Sequence, residues 1–183
     1  MVMKTEAVFK RGLRIISLIS TVGMYFSGVG ILMMALLITA EIVGRHLFGF
    51  SMLVVDEWSG YLLVTVTFLG LAYTMKTNGF LQIEFLLNRL DPKLKKIFHI
   101  FLISVAFFYS ILIDHKLIAY TWSSYSTGLV SVSISQTPLF IPQLFMPLGM
   151  SLLALELLRE GVLSIRDLIS FDATNPQNRN DEA

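Results

Sequence analysis

Long apolar blocks alternate with short polar joints along this chain, and the blocks outrun the core elements of an ordinary soluble domain. Four of them, residues 20–43, 58–76, 97–118 and 138–158, consist largely of aliphatic and aromatic residues. Each approaches or exceeds the roughly 20 helical residues that cross a hydrocarbon core about 30 Å thick. The pattern predicts an all-α integral membrane protein with four transmembrane helices, forming one membrane domain over residues 1–169. From Ser170 the sequence turns polar ("SFDATNPQNRNDEA"), which predicts a flexible tail over residues 170–183.

Each joint has its own character. The first apolar run extends from Ile15 to Val43, longer than a secretory signal core and without an obvious small-residue cleavage site, so the first helix is expected to be retained. Its excess length predicts either tilt or an interfacial turn over "LRIISLIS". Between the first two spans, "RHLFGFSMLVVDEWSG" is too short and amphipathic to cross a membrane, and Trp58 fits an interface anchor. In "NGFLQIEFLLNRLDPKLKK" (residues 78–96), Ile83, Leu86, Leu87 and Leu90 share a helical face, while Glu84, Asn88 and Asp91 lie largely elsewhere. This predicts a short helix in the membrane interface, a turn at Asp91-Pro92, and an anchoring cluster of Lys93, Lys95 and Lys96. The Ser/Thr/Gly-rich stretch after the third span suits an exposed connection with some extended structure. Pro138, Pro142 and Pro147 predict a loose or kinked entry to the fourth helix.

Charge then orients the spans. Lys4, Lys10, Arg11 and Arg14 precede the first span, and Lys76, Arg89, Lys93, Lys95 and Lys96 lie between the second and third. Arg159 and Arg166 follow the fourth, whereas the other two connections hold only Arg45 and, at the edge, Lys116. The positive-inside rule therefore predicts that both termini are cytoplasmic.

Composition narrows the chemistry. With 14 basic and 13 acidic residues the net charge is +1, and no basic-aromatic stripe points to nucleic acid. The absence of cysteine excludes disulfides, thiolate catalysis and thiolate metal ligation. His46, His99 and His115 are dispersed, and no phosphate loop or nucleophile motif is present. Neither an enzyme nor a cofactor or metal site is expected.

The remaining polar residues fit helix packing and electrostatics. Gly23, Ser27 and Gly30 fall near one face of the first helix, and Gly60 and Gly70 notch the second; small residues let membrane helices approach closely. Glu41 and Arg45 stand one helical turn apart near the end of a span, where a carboxylate is costly unless compensated. Asp56 and Glu57 are further possible partners for Arg45. Glu156, with Arg159 close by, fits an interface or interhelical pairing. The residues favour structural or subunit-orienting electrostatics, with a direct transport role for Glu41 as the alternative.

The run "EIVGRHLFG", followed by "VVDEWSGYLLVTVTFLGLAYTMKTNGFLQIEFLLNRL" and then "SQTPLFIPQLFMPLGMSLLALELL", resembles the DctQ-like family. These are the small membrane subunits of tripartite ATP-independent periplasmic (TRAP) transporters. Glu57 stands at the family's acidic position before the second helix, "FLGLAY" resembles that helix's end, and Pro142 and Pro147 occur in the expected kind of positions. Gly79-Phe80 replaces the family's histidine-like start of the surface segment, so no histidine role carries over. The resemblance covers roughly residues 20–160. It implies an accessory subunit in the bacterial inner membrane, paired with a large elevator-type membrane subunit and a periplasmic solute-binding protein, for sodium-coupled uptake of a small organic anion. It also implies that substrate and sodium sites belong to the large subunit, leaving Glu41, Arg45 and Glu57 as orienting residues and Trp58 as an anchor in membrane lipid. An autonomous four-helix channel or carrier, and a scaffold for an unrelated complex, remain the alternatives.

Overall fold

The computed structural model describes residues 2–51, 54–77 and 92–174. Four long helices account for most of them: α1 (Val2–Phe48), α2 (Val55–Lys76), α3 (Pro92–Ser126) and α5 (Phe145–Thr174), with the single turn α4 (Phe140–Gln143) before α5. All four long helices are long and apolar enough to cross a membrane.

Helix boundaries follow the breakers. No proline precedes Pro92, so α1 continues unbroken for 47 residues, about 70 Å at 1.5 Å per residue. The segment "LRIISLIS" is part of that helix rather than a separate turn. Gly49 ends α1 in the left-handed conformation, φ +70°, which costs glycine nothing. Pro92 opens α3, where its missing N–H would be unsatisfied in any case. Lys93, Lys95 and Lys96 accordingly lie in the opening turns of α3. The interfacial helix expected before them falls on residues 78–91, outside the described residues.

All four long helices prove longer than the spans expected. α3 runs on to Ser126 and α5 to Thr174, so the first residues assigned to the tail are helical and the others lie outside the described residues. The entry to α5 is broken, as the prolines predicted. Pro147 cannot donate to the carbonyl of Gln143, and its ring crowds that carbonyl, so α4 stops there and α5 starts afresh at Phe145.

The helices neighbour one another in the order α1, α2, α5, α3, and α5 touches each of the other long helices. Its central place explains why Met75 of α2, Ile103 of α3 and Leu157 of α5 meet in a small apolar cluster. Elsewhere, beside Val55, Ala72 and Met150, the buried residues are polar: Ser20, Ser27, Ser110, Thr121, Ser124, Glu41, Gln143 and Glu156. Large apolar side chains such as Leu32, Leu36, Phe108 and Leu112 point outward instead. That inversion is expected where lipid offers apolar groups no reason to hide, and helices associate by close packing and hydrogen bonds.

Candidate functional site

The polar residues gather at the two ends of α2, with a packed seam between them. At the Glu57 end, Glu41 is buried near the exit of α1. Arg45, one turn on, donates Nη2 to Glu41 Oε1 at 2.6 Å, and Ser51 Oγ donates to the same oxygen at 2.7 Å. Arg45 Nη2 also reaches Ser51 Oγ at 3.1 Å. The turn after Gly49 brings Ser51 back over the helix end, closing a three-residue clasp around one carboxylate oxygen. Arg45 itself extends into the open, its side chain 62% exposed against 8% for Glu41. Asp56 is exposed in the first turn of α2 and lines the same hollow as Glu41 and Arg45.

Glu57, a possible partner of Arg45 by sequence, has its partners elsewhere. It turns toward the connection between α3 and α4. That connection is a small hairpin: Gly128 at φ +62° caps α3, the Leu129 N–H returns to the Ser124 carbonyl, and Val130 pairs with Pro138. Ser131 N–H donates to the Thr137 carbonyl at 2.9 Å and Leu139 N–H to the Leu129 carbonyl at 3.0 Å. Within "SVSIS", at the bend and turn of this hairpin, the serines and the apolar residues take opposite sides. Ser133 and Ser135 donate their hydroxyls to Glu57 Oε2, the latter at 2.6 Å, while Val132 and Ile134 face out. Tyr61 donates to the other carboxylate oxygen. Glu57 thus staples the hairpin to the start of α2. Trp58 beside it is half-exposed, edge-on to Tyr61 at 6.5 Å between ring centroids.

The opposite end has its own pair of clasps. Glu156 of α5 is almost fully buried, accepts from Ser20 Oγ of α1 at 2.6 Å, and pairs with Arg159 Nη1 at 2.9 Å. Lys76, the last residue of α2, donates Nζ to Thr21 Oγ1 at 2.7 Å and to the Ser17 carbonyl at 3.0 Å. Ser17, Ser20 and Thr21 thus tie one stretch of α1 to both α2 and α5. Farther along, Lys96 Nζ reaches the Asp167 carbonyl at 3.3 Å.

The seam between these ends is made by small residues. A Cβ on Gly23 would sit 3.0 Å from the Leu69 carbonyl oxygen, and one on Gly30 2.7 Å from Val66 Cγ2. Ser27 Oγ donates to the Val66 carbonyl at 3.0 Å and lies opposite Gly70. The notch expected at Gly60 faces no neighbour among the described residues: a Cβ there would meet nothing within 4 Å of them. The tightest approach was not anticipated. A Cβ on Gly149 of α5 would fall 2.3 Å from the Phe68 carbonyl oxygen, so only glycine lets α5 lie against α2 at this point. The one available signal was a glycine just after Pro147, and helix-breaking context concealed its packing role.

A second polar contact inside the array, besides that of Ser27 with Val66, joins the other pair of helices. Ser151 Oγ donates to Asp114 Oδ2 at 2.8 Å, joining α5 to α3. Among the described residues no group of three or more His, Asp or Glu side chains is arranged to hold a metal ion. What the polar residues at the two ends form is a set of clasps: Glu156 and Lys76 tie helix to helix, Glu57 ties the hairpin to α2, and Glu41 closes the end of α1. A search of curated proteins found no match. A family model described as "Tripartite ATP-independent periplasmic transporters, DctQ component" matches residues 34–167, a region that runs from the Glu41 clasp through the Glu57 staple to Asp167. The chain belongs to the DctQ component family of tripartite ATP-independent periplasmic transporters, and is a transport component rather than an enzyme.

Proposed function

We propose that this chain is the non-catalytic scaffold of its transporter. It holds the stationary part of the large membrane subunit in the bacterial inner membrane and helps dock the solute-binding protein during sodium-coupled uptake of a small organic anion. The observation that carries this reading is the use made of the charged residues: Glu57, Glu156 and Lys76 each hold separate elements of this chain together, while Glu41 with Arg45 and Ser51 closes the end of α1. A moving elevator needs a rigid frame to work against, and clasps at both ends of a helix array supply one. Placement of Lys76 and the Lys93–Lys96 cluster toward the cytoplasm puts both termini there, and leaves the Glu57-stapled hairpin facing the periplasm. Trp58 and the lysines then fix depth in the lipid.

The test is co-expression with the large subunit, followed by purification and reconstitution in vesicles. Recovery of the two chains in equal amounts, with uptake only when both are present, is the expected result. Substrate-specific transport by the small chain alone would overturn the proposal.

A further inference from the structure

α2 is a depth gauge for the whole array. Its 22 residues rise about 33 Å, close to a hydrocarbon thickness, with Asp56 and Glu57 at one end and Lys76 at the other. Gly149 of α5 is pressed against Phe68 of α2, and Ser151 two residues later is bonded to Asp114 of α3. Asp114 is therefore level with the interior of α2, near Gly70. α3 continues from there toward the Glu57 end, where Thr121 meets the Gln143 carbonyl. At 1.5 Å per residue, Lys116 lies about 12 Å from the level of Lys76 and about 16 Å from that of Glu57.

His115 and Lys116 are both exposed at this depth, and neither has a hydrogen-bond or ion-pair partner among the described residues. Asp114 is two positions from Lys116, turned toward α5 and bonded to Ser151, so it does not neutralise the lysine. A lysine side chain reaches about 6 Å when extended, too short to carry its ammonium to either end of α2. A cation in hydrocarbon is costly and normally faces protein or a polar cavity. The flanking positions on this face, Leu112, Ala119 and Tyr120, are exposed too, so the cation sits within a surface fit to pack against another helix.

We propose that the outward face of α3 centred on Lys116 is the docking surface for a transmembrane segment of the large transporter subunit, one that presents a carboxylate to Lys116. This rests on the scaffold reading and adds to it the face and the chemistry of the contact. Charge complementarity selects the occupant: lipid tails cannot compensate the ammonium, and a second copy packed through the same face would set lysine against lysine.

The test uses the full chain co-expressed with the large subunit. Lys116→Met keeps an apolar stem and removes a charge from the span, so insertion is not threatened. The expected result is that Lys116→Met lowers recovery of the large subunit about tenfold, as loss of one interhelical polar contact in a membrane predicts, and that Lys116→Arg retains it. A photo-crosslinking amino acid in place of Leu112 should capture the large subunit, whereas one in place of Leu32 on α1 serves as the control. Undiminished recovery with Lys116→Met, or crosslinks from position 112 only to lipid or to another copy of this chain, would overturn the inference while leaving the scaffold role intact. Failure of the unaltered chain to recover the large subunit would overturn both.

Discussion

Glu156 and Ser20 lie 136 positions apart in sequence and 2.6 Å apart in space. The carboxylate is buried, so its two hydrogen-bonding partners, Ser20 and Arg159, stabilise it where water is excluded. Ser20→Ala should remove one charge-assisted bond and cost about 1–3 kcal/mol, read as a lower unfolding temperature of the purified chain in detergent. The Glu57 staple behaves differently because it anchors a surface hairpin. Replacing Ser133 and Ser135 together by alanine should leave the helices intact and release the hairpin. Hydrogen exchange at the Leu129 and Leu139 amides should then rise several-fold, while exchange within α2 stays unchanged. That Glu57 carries a role was visible from its place before a span. Its partners were not, because the spacing in "SVSIS" acquires meaning only once the hairpin folds back over α2.

Among the helices, the contact between α2 and α5 depends on one missing side chain. Gly149→Ala would place a methyl group inside the van der Waals radius of the Phe68 backbone, which is less able to yield than a flexible side chain. The two helices must separate, and the expected loss is about 1–3 kcal/mol, measurable by thermal or denaturant unfolding in micelles. Gly60→Ala is the contrasting case: the added methyl meets nothing among the described residues, and alanine is the better helix former by about 1 kcal/mol. The isolated chain should be unchanged or slightly more stable. The apolar blocks announced four helices, and the prolines announced the broken entry to α5. Helix ends were less legible: α3 passes beyond Lys116 to Ser126 because nothing in "LIAYTWSSYS" breaks a helix before Gly128.

At the scale of the molecule, the clasps convert four helices into one frame. Glu41 and Arg45 stand at the outer edge of that frame, one buried and one reaching into the open. Reversing either charge, with Glu41→Arg or Arg45→Glu, should put like charges one turn apart and reduce recovery of the large subunit and uptake together. Assembly at the normal level with altered sodium dependence would instead assign the pair to transport. The measurement is the ratio of the two subunits after purification, compared with uptake in vesicles at varied sodium concentration.

The sequence by itself determined the class of the protein and its main elements, because a run of about twenty apolar residues has few stable arrangements other than a membrane-spanning helix. It also determined the Glu41–Arg45 pair, since four residues on a helix make one turn whatever surrounds them. Only the tertiary structure decided which helices touch, that Glu57 serves a hairpin rather than Arg45, that Gly149 and not Gly60 is the close approach, and that Lys116 lies level with the interior of α2. Those facts depend on the depth and rotation of one helix against another. Hydrophobic pattern leaves both free, and they are settled by small residues and buried hydrogen bonds between positions far apart in the chain.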